Sequence, residues 1–275
     1  MRVVLYRAMT TLRIGSIELA VVSDGKLRMD PGLMFGPGQP DAFRERVELE
    51  DGRVPFAVNC GLVRVGSRLI LLDTGAGRDD PAMLERYGHG CGFLLDNLRA
   101  LGVAAADVDT VVLSHAHADH LGGACVGGSP TFPNAGYWIS KQDWDFWTTP
   151  EWLTERPFLA QKLVPLKDRL QLADGEAEVA PGIRLVPSPG HTPGHVCVVL
   201  TSGQQTAVYC GDLMHHVAQV EHTEWSPAFD LLPELSAESR RRILEQAVRD
   251  RAVLLTAHLP TPGILQHTPQ GWRPA

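Results

Sequence analysis

The stretch LSHAHADHLGG, from Leu113 to Gly123, places His115, His117, Asp119 and His120 within six residues and ends in two glycines. Imidazole nitrogens and carboxylate oxygens are the donors that hold zinc and related divalent ions. Such a density of them is either a polar surface turn or part of a metal site. Three later stretches favour the metal. PSPGHTPGH carries His191, VYCGD ends in Asp212, and LLTAH ends in His258. Each is a strand-like run that stops at a residue able to bind a metal. Open α/β sheets hold ligands beyond their strand ends, so these residues can meet in one cleft. A lone histidine carries little weight; the repetition does.

The elements that must deliver these residues are legible in outline. SIELAVVSDG and FAVNCGLVRVGSRLILLDTGAG read as strands, the second as a hairpin turning at Gly66-Ser67. The glycine- and proline-rich segment MDPGLMFGPGQPDAFRERVELEDG between them reads as a long loop, the kind that is functional or mobile. GFLLDNLRALG has helical spacing with Gly102 as its C-cap. VDTVVLSH is a buried strand that delivers His115, and alternation along it would turn His115 and His117 to one side. SKQDWDFW and the stretch 157–170 read as helices. IRLVPSPGH, VCVVLTSG, TAVYCGD and AVLLTAH read as strands, and SAESRRRILEQAVRD as a helix opening at its serine. The alternation, with no break in composition, predicts a single α/β domain over 1–275, layered with sheets inside and helices outside.

Composition narrows the function. The 275 residues are 44% hydrophobic and 21% charged, with net charge -7, the profile of an ordinary globular protein. Arg240-Arg241-Arg242 is the densest basic run and reads as a solvated helix face, so no nucleic-acid partner is expected. Five scattered cysteines without a C-x-x-C pair argue against a disulfide framework or a cysteine zinc site. They suit the cytoplasm. MRVVLYRAMTTLRIG lacks the apolar core of a secretory leader, and no apolar run is long enough to span a membrane.

The pattern H-x-H-x-D-H, followed by G-H, G-D and a late A-H, with LLDTGAG before it, resembles the metallo-β-lactamase-fold hydrolase superfamily over nearly the whole chain. The resemblance implies a four-layer αββα sandwich with two divalent metal ions between the sheets, zinc first, with Mn2+, Co2+ or Fe2+ as alternatives. It assigns His115, His117 and His191 to the first ion and Asp119, His120 and His258 to the second, with Asp212 bridging and Asp73 supporting the ligand loops. A bridging Asp212 separates the chain from the true β-lactamases. FPNAGYWISKQDWDFW, GHTPGH, GDLMHH and AHLPTPG look most like the branch of methyl parathion hydrolase and related lactonases.

The function this resemblance implies is hydrolysis of lactones or aryl esters by a metal-bridging hydroxide, with phosphotriesterase side activity, on a small-molecule substrate. Asp119 would orient the nucleophile. Acyl-homoserine lactonases usually carry tyrosine three residues after the bridging aspartate, where this chain has His215, which is expected to face substrate and favour flat aryl substrates. Trp147, Phe146 and Trp144, with Phe35 from the long loop, are candidates for an apolar pocket. His195 is either a support for the ligands or merely packed. Acyl-homoserine lactonase, glyoxalase II-like thioesterase and non-catalytic metal sensor are the competing readings; no basic cluster for glutathione stands out. The segment 30–52 could support a homodimer.

Overall fold

The computed structural model describes residues 10–36, 39–81, 84–85 and 88–275. Residues 1–9 of the stretch read above for a leader, and residues 37–38 of the long loop, lie outside them. Two seven-stranded sheets form the centre. The first runs in the order β1 (Thr11–Ile14), β2 (Ile17–Met29), β3 (Val54–Val65), β4 (Arg68–Leu72), β5 (Thr110–Val112), β8 (Gly136–Ser140), β9 (Leu170–Ala173). The small hairpin of β6 (Cys125–Val126) and β7 (Ser129–Pro130) stands apart from it. The second runs β10 (Ala177–Ala180), β11 (Ile183–Pro187), β12 (Val196–Ser202), β13 (Gln205–Tyr209), β14 (Val253–Leu255), β15 (Ile264–Thr268), β16 (Gly271–Pro274).

Strand alternation sorts the side chains into layers. On β4, Ile70 and Leu72 face the second sheet, where they join Leu19, Val63, Val198, Leu200 and Tyr209 in one core. Leu69 and Leu71 face the other way and join Leu94, Leu98, Trp147, Leu159 and Leu163 from the helices. On β12, Val196 and Val198 point between the sheets, while Cys197 points outward toward Ile243, Leu244 and Ala247. The result is the four-layer αββα sandwich. The outer layers are built from helices α3 (Leu94–Ala100), α5 (Lys141–Trp147), α6 (Pro150–Glu155) and α7 (Pro157–Lys162) against the first sheet and α8 (Pro233–Arg249) against the second, while α1 (Pro31–Met34) and α2 (Asp41–Arg46) pack in a separate cluster and α4 (Ala118–Leu121) follows β5.

Several expectations need adjusting. The long loop contains α1, capped by Asp30 with proline in its first turn, and α2. Helix α8 starts at Pro233 rather than at its serine, because proline suits a first helical turn whose N–H groups have no partner anyway. In that helix Arg241 and Arg242 are exposed, but Arg240 is fully buried. No helix among the described residues is long and apolar enough to cross a membrane.

Candidate metal centre

β4 and β5 run parallel in the first sheet, as do β13 and β14 in the second, and β11 shares their direction through two antiparallel steps. All five strands therefore end on one rim. Asp73 follows β4; His115, His117, Asp119 and His120 follow β5; His191 follows β11; Asp212 follows β13; His258 follows β14. His115 and His117 lie beyond the end of β5, in the loop, and Asp119 and His120 sit on the short helix α4. Their convergence comes from a chain reversal, not from strand alternation.

The glycines allow the reversal. A Cβ on Gly122 would stand 2.0 Å from the Ala76 carbonyl oxygen, and one on Gly123 would stand 2.2 Å from that of Thr74. Only glycine lets the motif pack this tightly on the loop after Asp73. Asp73 itself adopts φ +60, a left-handed conformation uncommon outside glycine. Its carboxylate holds the geometry: it accepts from the Ser114 N–H, the Ser114 hydroxyl and the Tyr209 hydroxyl, each at 2.7 Å. Its fourth partner, also at 2.7 Å, is His120 Nδ1.

Asp212 lies at the centre with its two oxygens facing different histidines. Oδ1 is 2.9 Å from His120 Nε2 and 3.0 Å from His258 Nε2. Oδ2 is 3.0 Å from His191 Nε2, 3.1 Å from His215 Nε2 and 3.7 Å from His115 Nε2. His117 Nδ1 lies 2.8 Å from His191 Nε2. Asp119 is 3.4 Å from His258 Nε2. Donor atoms of His115, His117, His191 and Asp212 fall within 4.8 Å of one another, and so do those of Asp119, His120 and His258.

The far nitrogens fix which atom each ring presents. His120 Nδ1 donates to Asp73, His191 Nδ1 to Asp230 at 2.8 Å, and His258 Nδ1 to the Ala57 carbonyl at 2.8 Å. His115 Nδ1 donates to Ser114 Oγ, whose own proton goes to Asp73. Each near nitrogen is then left facing the centre, where only a proton or a cation can satisfy it. His115 Nε2 is buried with no hydrogen-bond partner among the described residues. Metal-binding imidazoles are characteristically oriented in this way through the other nitrogen, so the donor set fits divalent ions.

The electrostatics agree. Burial pushes the Asp212 carboxyl up, but His120, His258, His191 and His215 outweigh it and hold it well below the usual carboxylate range. Burial, then the neighbouring imidazoles, drive His115 and His117 well below the ordinary histidine value, leaving neutral donors. His191 goes the other way: Asp212 and Asp230 overcome burial and raise it to about 9. His120 and His258 are raised as well, by Asp212 and Asp119 acting against burial.

Among the expected pocket residues, Trp147 is fully buried with its ring 5.5 Å from that of His117. Phe146 packs on Trp147 at 4.8 Å, and Trp144 belongs to the core beneath them. Phe35 packs on Phe43, in the same cluster as Phe56, and is one ring removed from the site histidines among the described residues. Two aromatics that the sequence does not single out stand in its place. Phe56 lies 5.3 Å from His258, and Phe229 lies 4.7 Å from His215. His215 stacks on His258 at 5.2 Å with its Nε2 toward Asp212 and its Nδ1 buried without a partner among the described residues. Burial, partly opposed by Asp212, lowers it to about 4.

His195 is a support: its Nε2 accepts the Asp212 backbone N–H at 2.9 Å, and burial lowers it to about 3. Asp230 and Asp143 also escape sequence reading. Asp230 joins His191 to Arg240, 3.5 Å away, and no motif marks it. Asp143 reads only as an acidic residue after a helix cap.

Comparison with known proteins gives a consistent result. The model of the metallo-beta-lactamase superfamily matches residues 53–258. An N-acyl homoserine lactonase from Bacillus thuringiensis is 24% identical over 166 residues, 60% of this chain and 61% of that protein. The N-acyl homoserine lactonase AttM of Azorhizobium caulinodans is 31% identical over 116 residues, 40% of this chain and 41% of its own. The matched region thus spans about three fifths of the first relative's length and less of the second. Among solved structures, AidC, a dizinc quorum-quenching lactonase in complex with a product N-hexnoyl-L-homoserine, superposes with TM-score 0.81 at 29% identity, covering 98% of this chain and 97% of its own. The hydrolase AbOPH of the beta lactamase superfamily gives TM-score 0.81 at 26% identity, covering 97% of both.

Proposed function

The chain belongs to the metallo-beta-lactamase superfamily, and from that premise we propose that it is a dinuclear metal-dependent hydrolase of lactones and aryl esters, with side activity on phosphotriesters. The observation that carries the reading is the convergence of oriented imidazole nitrogens on both oxygens of one buried carboxylate, Asp212. We assign His115, His117, His191 and Asp212 Oδ2 to one ion, and Asp119, His120, His258 and Asp212 Oδ1 to the other. Zinc suits these nitrogen and oxygen donors, as manganese, cobalt and iron(II) do less specifically. Bound there, two divalent ions supply Lewis acidity and make water a nucleophile near neutral pH.

The chain's own residues do the rest. Asp73, Asp230 and the Ala57 carbonyl hold His120, His191 and His258 in place, so the donors need little rearrangement. The Asp119 side chain, 18% exposed against 4% for Asp212, keeps solvent access. It accepts the proton of the attacking water and returns it to the alkoxide oxygen as the carbonyl C–O bond breaks. A lactone then leaves as a hydroxy acid, and an aryl ester as an acid and a phenol. Trp147 walls one side beside His117, and Phe56 and Phe229 wall the other beside His258 and His215.

Acyl-homoserine lactones are the narrower substrate class. The likeness to AidC favours them, while His215 stands where a tyrosine hydroxyl is expected. We place the enzyme in a reducing compartment, in keeping with five buried free cysteines. The deciding experiment loads the protein with zinc or manganese, measures metal content, and screens lactones, aryl esters, thioesters, β-lactams and phosphotriesters. About two ions per chain and the highest kcat/KM on lactones or aryl esters are expected. A stoichiometry that stays at one, or a clear preference for thioesters or β-lactams, would overturn the reading.

A further inference from the structure

Helix α5 begins at Ser140, whose hydroxyl accepts the Asp143 backbone N–H at 3.0 Å. That cap fixes the Asp143 side chain, which is fully buried. Its two oxygens do not serve the helix. Oδ2 accepts the backbone N–H of Ala116, and Oδ1 accepts that of Gly194, both at 2.9 Å. Ala116 lies between His115 and His117, and Gly194 lies three residues after His191. One carboxylate thus clamps the two loops that carry the three histidines of one half of the centre. The approach is tight: a Cβ on Gly194 would stand 2.2 Å from the Asp143 nitrogen and 2.2 Å from Ser140 Oγ. One turn further along the helix, Trp147 packs on the His117 ring. The helix therefore holds the loops of these three histidines through their backbone, and His117 through an aromatic ring as well.

The other half is held differently. His120 is anchored by Asp73 and His258 by the Ala57 carbonyl, and Asp143 bonds to neither residue. Resting on the dinuclear reading above, we propose that Asp143 is a positioning residue for one ion only, the ion held by His115, His117 and His191. Its role is geometric. A carboxylate offers two acceptors and no donor, so it can close both loops at once. A carboxamide offers one oxygen and one NH2, and the NH2 must oppose one of the two backbone N–H groups. Asp143→Asn therefore releases one loop while nearly preserving the side chain's size.

The test separates the two halves. His258→Ala leaves the first set of donors, and His117→Ala leaves the second. Asp143→Asn is introduced into each background, and the metal-free proteins are titrated with Zn2+ against a chromophoric chelator. In the His258→Ala background, Asp143→Asn should weaken zinc binding by about tenfold, the low end of what losing a ligand's outer partner costs. In the His117→Ala background, affinity should change less than twofold. Equal weakening in both, which a general structural role would give, overturns the proposal, as does no weakening in either. Asp143→Glu, which keeps both acceptors but displaces them by one methylene, is run in the same pair. It should show the same asymmetry at smaller amplitude, and it decides between the same outcomes if Asp143→Asn does not fold. Wild-type protein that takes up a single ion would instead overturn the dinuclear reading. Two ions with a symmetric loss would leave that reading standing and remove Asp143 from it.

Discussion

Asp230 joins the metal centre to a buried arginine, and Asp230→Asn shows what that link contributes. The carboxylate is inaccessible to solvent, with one oxygen 2.8 Å from His191 Nδ1 and the other 3.5 Å from Arg240, itself fully buried. An asparagine that accepts from His191 turns its NH2 on the guanidinium; turned over, it opposes the His191 N–H. Either way a buried donor meets a donor. Breaking a buried ion pair outright costs about 3–5 kcal/mol. Arg240 also donates to the carbonyls of Leu213, Thr223 and Trp225 and to Ser236 Oγ, so much of its solvation survives. The metal-free variant should therefore lose about 2 kcal/mol in urea unfolding, less than that range because Arg240 keeps its other partners. His191 is raised to about 9 because Asp212 and then Asp230 outweigh its burial. Without the Asp230 charge its Nε2 becomes a weaker donor, and affinity at one ion should fall by about 10- to 100-fold. Chelator competition on the folded variant reads that directly. Wild-type unfolding midpoint together with wild-type affinity would refute the link.

Asp212→Ala removes the carboxylate whose two oxygens face both donor sets, and kcat/KM should fall by about 1,000-fold or more; near-normal turnover with two ions bound would refute the bridge. His215→Leu should lower the ratio of lactone to phosphotriester kcat/KM by about fivefold, the worth of one hydrogen bond, and an unchanged ratio would leave His215 without a role in specificity. Asp24 tests pH dependence away from the metal donors. Burial, opposed by the N–H groups of Ala76, Leu94 and Gly92, raises it from 3.8 to about 6. A carboxyl with a raised folded pKa contributes stability that is full below pH 3.8 and lost as pH rises through 6. The stability of metal-free wild type relative to Asp24→Asn should therefore fall by about 2 kcal/mol between pH 4 and 7 in urea titrations, and a constant difference would refute it. Chelation should lower Tm, and zinc should restore it; an unchanged Tm would show that the ions do not contribute to folding stability.

The donors are legible in the sequence because their chemistry is local. His115, His117, Asp119 and His120 share one short segment, and the glycines after them report a close approach that the structure places against Ala76 and Thr74. The strands that end in His191, Asp212 and His258 stand out by apolar composition. What holds these residues is less legible, because it depends on which loops meet. Asp143 lies in an unremarkable capped helix, and only the packing of α5 against two loops turns its oxygens toward Ala116 and Gly194. Asp230 sits in a proline-flanked turn 39 residues after the histidine it serves. Arg240 has the pattern of a solvated charge because, apart from Ser236 one turn earlier, its partners come from residues 213–230 and cannot be foreseen from helical periodicity. Phe35 suits a pocket wall by residue type, but it packs on Phe43, and the neighbour in that cluster that meets His258 is Phe56, at the start of a strand whose pattern says only that it is buried.

The same topology explains why the two ions should bear on folding as well as chemistry. His115, His117, Asp119 and His120 leave the first sheet, whereas His191, Asp212 and His258 leave the second. Each proposed ion takes donors from both sheets, so neither site exists until the sheets have packed face to face. Metal affinity is then drawn partly from the intersheet core around Leu19, Val63, Ile70 and Val198, and bound metal in turn favours the packed state. The apposed sheets bring Asp73, Asp119, Asp212 and Asp230 around the imidazoles, and these carboxylates raise His120, His191 and His258 above the ordinary histidine value against their burial. Metal-binding imidazoles must be unprotonated, so uptake should weaken as pH falls. The packed sandwich therefore both preorganises the donors and sets the protons against which the ions compete.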